Sequence, residues 1–254
     1  MDNVIHTIDA SNVDRYGFFC YKSKPKTAGY RQKRAWLENT MPDGLRLKIL
    51  YEGNRSAGFI EYAPGECAWR SVIAGGYVVI HCMWVVGSSK GKGYGSRLLD
   101  HVVSEAESMG AYGVVNISST STWLARKGFF LKHGFEVVDH APPAFELLVK
   151  RFGQGPLPSF PADWTVRLNR IPDGLVVYHS GQCPYHAMFV SSLSNAAHQM
   201  GLPFRAVELT SSWEARTLSP SAYGVFGVVY NGKLLSYRPM GGKTLRQMLE
   251  NTNE

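Results

Sequence analysis

A short stretch in the first half of the chain, VVGSSKGKGYGSRLLDHV (residues 85 to 102), limits the folds open to it. An apolar strand runs into glycines at 91, 93 and 95 and directly on into a helix with an apolar stripe. Glycine allows positive φ and close backbone approach, and the first N–H groups of a helix have no partner within it. Strand, glycine turn and helix start in that order aim several donors, with the positive end of the helix dipole, at one point. Such a point suits an anion, most often phosphate.

Two well-known phosphate loops do not fit. A Walker loop needs Gly-Lys followed directly by Ser or Thr, and a dinucleotide site needs Gly-x-Gly-x-x-Gly with an acid about 20 residues on. The segment instead resembles the acyl-CoA-binding motif of the GNAT N-acyltransferase superfamily, a basic residue or Gln, two residues, then Gly-x-Gly or Gly-x-Ala. Lys90-Gly91-Lys92-Gly93-Tyr94-Gly95 fits, with Lys90 in the place usually held by Arg or Gln. The resemblance continues through WLARKGFFLKHGFEVVD, similar to the helix-Gly-Phe-strand segment that closes the cofactor cleft, and covers residues 4 to 152. It implies an α/β (α+β) fold with a mixed central sheet flanked by helices, and N-acyl transfer from acetyl-CoA or another acyl-CoA. The acceptor would be an amine-bearing small molecule or peptide, and no metal is required. The pyrophosphate of the coenzyme would then lie on Val85, Val86, Lys90, Gly91, Lys92, Gly93, Tyr94, Gly95 and Ser96, with backbone N–H groups from Val86 to Ser96 as donors.

Acyl transfer to an amine also needs a base. In the strand YVVIHCMWVV strict alternation puts Val79, His81, Met83 and Val85 on one face and Ile80, Cys82 and Trp84 on the other. His81 stands nine residues before Lys90, the offset at which an arylalkylamine member of the superfamily places a histidine in its amine site. His81 is either that base, acting directly or through water, or a core histidine bonded to a carbonyl. Glu61, in SAGFIEYA, is either a second base with a raised pKa or a solvent-facing carboxylate. Glu146 is read as a partner for Lys or Arg, and Asp100 and Glu105 as the solvated face of the helix after the turn. Many members of the superfamily carry a tyrosine four residues before the Gly-Phe pair, where it protonates the leaving thiolate; here that place is Phe130. A water or a hydroxyl of Ser118, Ser119 or Ser121 then serves, or the leaving group needs no acid, or it is not coenzyme A.

That last option defines an alternative, an aminoacyl transferase on the same fold that draws on charged tRNA. The net charge is +7 and the pI about 9.2. Residues 21 to 36, YKSKPKTAGYRQKRAW, carry six Lys or Arg, no acid and three aromatic residues, which suits coenzyme phosphates or an RNA backbone. The bland account of the same arm is a solvated helix and loop.

At 254 residues, 44% of them apolar, the chain is long enough for two cores. A boundary falls in FGQGPLPSFPADW, where three prolines and two glycines read as a linker. The expected organisation is a GNAT domain over 1–152, a linker over 153–164, and a smaller β-α-β-α-β-β-α domain over 165–254. The latter opens on VVYHSGQCPYHAMF, which resembles a thioredoxin or glutaredoxin start with His186 in place of the second cysteine. Without a resolving cysteine the motif cannot cycle a dithiol, and Cys183 is a nucleophile, a metal ligand or a remnant. The two domains together resemble YoaP-type N-acetyltransferases. Four widely spaced cysteines (Cys20, Cys67, Cys82, Cys183), no basic-then-apolar leader and no 20-residue apolar run are read as a soluble, cytoplasmic protein with reduced thiols and no membrane partner.

Overall fold

The computed structural model describes residues 3–120 and 123–251, so Ser121 lies outside the described residues. The chain divides into two units: Met1–Ser23, Leu37–Ala68 and Val72–Phe160 form the first, and Lys24–Trp36, Trp69–Ser71 and Pro161–Glu254 the second. In chain order the elements as far as residue 151 are β1 (Asn3–Ile8), α1 (Val13–Tyr16), α2 (Ala28–Thr40), β2 (Arg46–Glu52), β3 (Arg55–Pro64), β4 (Val78–Val85), α3 (Tyr94–Ser108), β5 (Gly113–Ser119), α4 (Lys127–Leu131), β6 (Glu136–Ala141) and β7 (Phe145–Arg151). The strands make one mixed sheet in the order β1-β2-β3-β4-β5-β7-β6, antiparallel except where β4 runs parallel to β5.

The helix α3 packs on one face of this sheet because Leu98, Leu99, Val102 and Ala106 fall on one stripe, which is buried against Leu50, Ile60, Val78 and Ile80. Truncating one such leucine to alanine costs roughly 2–5 kcal/mol. The helix α4 in the WLARKGFFLKHG segment is only five residues long, with Gly128 at its second position weakening propagation. The Pro/Gly-rich segment after β7 is held by specific bonds. The Phe152 N–H donates to the Tyr112 carbonyl oxygen (3.0 Å), Ser159 exchanges backbone bonds with Ile73, and the Phe160 N–H donates to Asp139 Oδ2 (2.7 Å).

The second unit adds α5 (Trp164–Asn169), β8 (Leu175–His179), α6 (His186–Gln199), β9 (Phe204–Glu208), α7 (Ser212–Thr217), β10 (Phe226–Tyr230), β11 (Lys233–Ser236) and α8 (Gly242–Glu250). Its sheet order is β11-β10-β8-β9, with β8 and β9 parallel and the rest antiparallel. From β8 onward this is the β-α-β-α-β-β-α order read from the sequence. The β10–β11 hairpin turns on Asn231 and Gly232, both at positive φ (46° and 73°), as a type I′ turn requires.

The Gly181–Pro184 loop that leads into α6 lies against residues of α2 that belong to this unit. A Cβ on Gly29 would sit 1.9 Å from the Pro184 carbonyl oxygen, and one on Gly181 would sit 2.8 Å from Trp36 Cβ, so both positions need glycine. His186 is fully buried, and its Nδ1–H donates to the Ser180 carbonyl oxygen (2.9 Å). The Nε2 atom has no hydrogen-bond partner among the described residues, so protonation would bury an unpaired charge. Burial accordingly pushes the His186 pKa down to about 3, against a smaller opposing effect of the Ser180 carbonyl.

A folded-state pKa below the unfolded value near 6.5 means that the stability linked to neutral His186 is complete above about pH 6.5 and is lost as pH falls toward 3. The second unit should therefore lose stability in acid with a slope approaching ~1.4 kcal/mol per pH unit. His186→Leu should flatten that limb. Denaturant unfolding of both proteins at pH 4, 5 and 7 checks this, and parallel acid slopes would count against it.

Candidate active site

The turn read from the sequence is built at the end of β4. The Val86 N–H donates to the Ala57 carbonyl oxygen (2.9 Å), and a single 3₁₀ turn over Gly87–Ser89 follows, in which the N–H groups of Ser89 and Lys90 bond back to Val86 and Gly87. Those three donors are thereby consumed, and Val85 packs its side chain against the core below α3. Gly91 and Gly93 take φ of 80° and 76°, with nothing within 4 Å of a Cβ at either. Gly93 is the N-cap of α3 and no side chain caps that end, so the first N–H groups of the helix, from Tyr94 to Ser96, face the mouth of the turn. Gly95 serves packing instead: a Cβ there would touch the Phe129 ring at 3.4 Å. The open cradle, the left-handed glycines and the uncapped helix end fit a phosphate-bearing group.

The two lysines of the turn are not equivalent. Lys92 Nζ donates to Glu52 Oε1 (2.6 Å), an acceptor shared with the Tyr94 hydroxyl (2.9 Å), while Ser89 Oγ lies 3.4 Å from Glu52 Oε2. The Lys92 hydrogen bond, then that from Tyr94, hold the Glu52 carboxyl below its ordinary value, and the same contact with Glu52 raises Lys92. Lys90 Nζ lies over the exposed Trp84 ring, 5.2 Å from its centroid. Sequence reasoning passes over Glu52, because nothing in the β2 sequence distinguishes it from a strand-end carboxylate. It also passes over His133, whose Nε2 lies 2.8 Å from Ser96 Oγ while its Nδ1 lies 2.8 Å from the Phe129 carbonyl oxygen.

Beside the turn the sheet splits. β4 and β5 pair only over Val78–Ile80 and Val114–Asn116, and the ladder stops there. At that point β4 carries a bulge: Glu61 pairs with Cys82 and Tyr62 with Ile80, which leaves His81 as the extra residue. The strict alternation expected for this strand is therefore broken. Met83 and Val85 pack on the α3 side together with Val78 and Ile80, rather than sharing a face with Val79 and His81. His81 is instead brought to Glu61, its Nδ1 3.7 Å from Glu61 Oε1, with both side chains 1% exposed or less. Glu61 is thus no solvent-facing carboxylate. Its strand neighbour Phe59 meets the ring of Phe19 (4.8 Å), while Ile60 and Tyr62 point into the cluster under α3.

The remaining candidates fall elsewhere. Ser118, buried on β5, donates its hydroxyl to the Ala125 carbonyl oxygen (3.2 Å), and Ser119 follows it at the strand end. Phe130 is fully buried among Phe129, Phe135 and the α3 residues. Glu146 pairs with Lys127 (2.6 Å), as read, in the wall of a cavity of about 590 Å³ that also includes Thr120 and His140. Glu105 is half-buried and paired with Lys48 (2.5 Å), in contrast to the solvated face expected of it. Among the described residues no group of three or more His, Cys, Asp or Glu could hold a metal, and no helix is long and apolar enough to cross a membrane.

Residues 14–135 match the acetyltransferase (GNAT) family. Over 247 residues, covering 95% of this chain and 96% of the other, the sequence is 30% identical to YoaP of Bacillus subtilis (strain 168), described as an uncharacterized N-acetyltransferase. Similar solved structures include the PaiA N-acetyltransferase from Thermoplasma acidophilum in complex with coenzyme A, at 13% identity and TM-score 0.43, covering 60% of this chain and 100% of that one. A GNAT family acetyltransferase from Elizabethkingia anophelis with acetyl-CoA bound is 16% identical at TM-score 0.40, covering 59% of this chain and 98% of that one. With a relative matched along nearly its whole length, and a glycine turn and forked sheet in the matched region, the chain belongs to the GNAT acetyltransferase family and is an acyltransferase.

Proposed function

We infer that the chain moves an acetyl group from acetyl-CoA to an amine, with the turn from Lys90 to Ser96 holding the coenzyme phosphates and His81, backed by Glu61, taking the proton from the amine. The observation that carries this reading is the bulge at His81, which sets an imidazole against a buried carboxylate where β4 and β5 part. Acetyl-CoA supplies a thioester carbonyl open to an amine lone pair. An ammonium has no lone pair to offer, so a base must first accept its proton, and an imidazole beside a carboxylate gains a counter-charge when it does so. Glu61 orients the ring and offsets the charge. Phe130 in the core supplies no acid, and a leaving thiol with a pKa near 8.5 needs none.

In the turn, the backbone donors of α3 from Tyr94 to Ser96 and the open cradle at Gly91 and Gly93 support phosphate binding, with Lys90 over the Trp84 ring and Lys92 turned to Glu52. We read residues 165–254, joined through 153–164, as a thioredoxin-like accessory domain, on the strength of the parallel β8-α6-β9 crossover followed by an antiparallel hairpin and a helix. The aminoacyl-tRNA alternative draws on the basic arm alone. Within that arm Lys33 is buried with its ammonium 4.1 Å from the Trp36 ring centroid, and Lys22 donates to the Tyr51 hydroxyl.

The phosphate assignment is tested at Gly93. No atom crowds a Cβ there, and aspartate tolerates the left-handed φ of 76° at a modest cost in strain, so a folded Gly93→Asp should place a carboxylate in the anion path and weaken coenzyme A binding at least ~10-fold. Calorimetry showing unchanged affinity in the folded variant would overturn it. The base assignment is tested by His81→Ala and Glu61→Gln in an assay of thiol release over a panel of amines. The histidine change should lower turnover by ~10²–10⁴ with coenzyme A affinity kept, and the glutamate change by less. Equal turnover in wild type and His81→Ala from pH 6 to 9 would make His81 a core histidine.

A further inference from the structure

We propose that His133 is a positioning residue for the phosphate turn, acting through Ser96, and that phosphate binding at the turn is accompanied by uptake of one proton from solvent onto its imidazole. The inference rests on the cofactor reading above and concerns how the turn receives its anion.

The geometry fixes the direction of each hydrogen bond. A carbonyl oxygen only accepts, so His133 Nδ1, 2.8 Å from the Phe129 oxygen, carries a hydrogen. In the neutral ring Nε2 is then an acceptor, and Ser96 Oγ at 2.8 Å must give it its single hydrogen. Ser96 is the third residue of α3, in the uncapped first turn. While His133 is neutral, an anion reaching that turn meets the lone pairs of the serine oxygen instead of a donor. Protonation reverses the bond. Nε2–H donates to Ser96 Oγ, the hydroxyl hydrogen becomes free to turn outward, and a positive charge stands one side chain behind it.

Around His133, α3 contributes the neutral Ser96, α4 the Phe129 ring (4.5 Å), and β7 the Lys150 ammonium, which donates to the His133 carbonyl oxygen (3.1 Å); the adjacent Lys132 is exposed. Among the described residues no carboxylate pairs with the imidazole, so a phosphate at the turn supplies the counter-charge. By linkage the anion favours the protonated ring and the protonated ring favours the anion. Affinity is therefore highest where histidine is protonated and falls as pH rises.

Dephospho-coenzyme A is the probe, since it lacks the terminal phosphate monoester that would itself titrate near neutrality. Calorimetry at pH 7 in two buffers of different ionisation enthalpy should show net proton uptake on binding to wild type, and affinity should fall as pH rises from 6 to 8. His133→Gln still offers Ser96 an acceptor but cannot titrate, so it should bind without proton uptake and with affinity nearly flat in pH. Ser96→Ala, which leaves the ring in place but removes the relay, should weaken binding and reduce the proton uptake without abolishing it, and it carries the comparison if the histidine variant does not fold. Binding by wild type without proton uptake, uptake retained in His133→Gln, or uptake undiminished in Ser96→Ala would overturn the proposal alone. Failure of folded wild type to bind dephospho-coenzyme A would overturn this inference, and failure to bind coenzyme A as well would overturn the cofactor reading with it.

Discussion

The site depends on where one parallel ladder stops. β4 and β5 share only three residue pairs, and the next residue of β4 is the bulged His81. The two features belong together. A bulge adds twist and bends its strand, and a strand that bends away from a parallel neighbour loses the register that further pairing would need. The backbone of both strands beyond the fork then faces a gap in which buried polar groups must find partners other than each other. The bulge re-aims one side chain, His81, toward Glu61 at the point where the ladder ends. A single extra residue in β4 thus sets an imidazole against a buried carboxylate where the ladder ends.

The turn that follows works through geometry more than through net charge. Its sequence shows two lysines and no acid, yet Glu52 from a strand 40 residues earlier in the chain takes the charge of Lys92 and ties down Tyr94. A carboxylate beside an anion site would repel the anion if it stood alone. Paired with Lys92 it becomes nearly neutral and braces the start of α3, leaving the oriented N–H groups as the main fixed positive feature. Oriented backbone donors have the further advantage that they need no reordering when the anion arrives.

Much of this is legible in the sequence, and the limits have physical reasons. The glycine turn is local: positive φ at 91 and 93 follows from residue type and spacing, so residue order alone places it. The forked sheet and the bulge are properties of pairing between strands, which alternation within one strand cannot reveal. That is why alternation puts Met83 and Val85 beside His81, whereas they lie under α3. His81 and Glu61 are each visible as candidates, but their adjacency depends on a register shift between β3 and β4. Ser96 and His133 stand 37 residues apart and meet only because α4 packs over the first turn of α3.

The second unit shows why a motif has to be weighed against its surroundings. Cys-Pro-Tyr-His opens α6 with one thiol, and the residue in the place of a resolving cysteine is a neutral histidine sealed in the core and bonded to the Ser180 carbonyl. An imidazole whose pKa is pushed to about 3 cannot stabilise a neighbouring thiolate as a cation would near neutral pH. The same loop is packed so closely that Gly29 and Gly181 admit no side chain. Elsewhere in this unit the buried Arg70 guanidinium donates to the Tyr223 carbonyl oxygen (2.9 Å), and Arg167 donates to Ser71 Oγ (2.8 Å) and to the Arg216 and Ser219 carbonyl oxygens. A buried guanidinium stripped of its carbonyl partners costs several kcal/mol, so these bonds within the unit are hard to break.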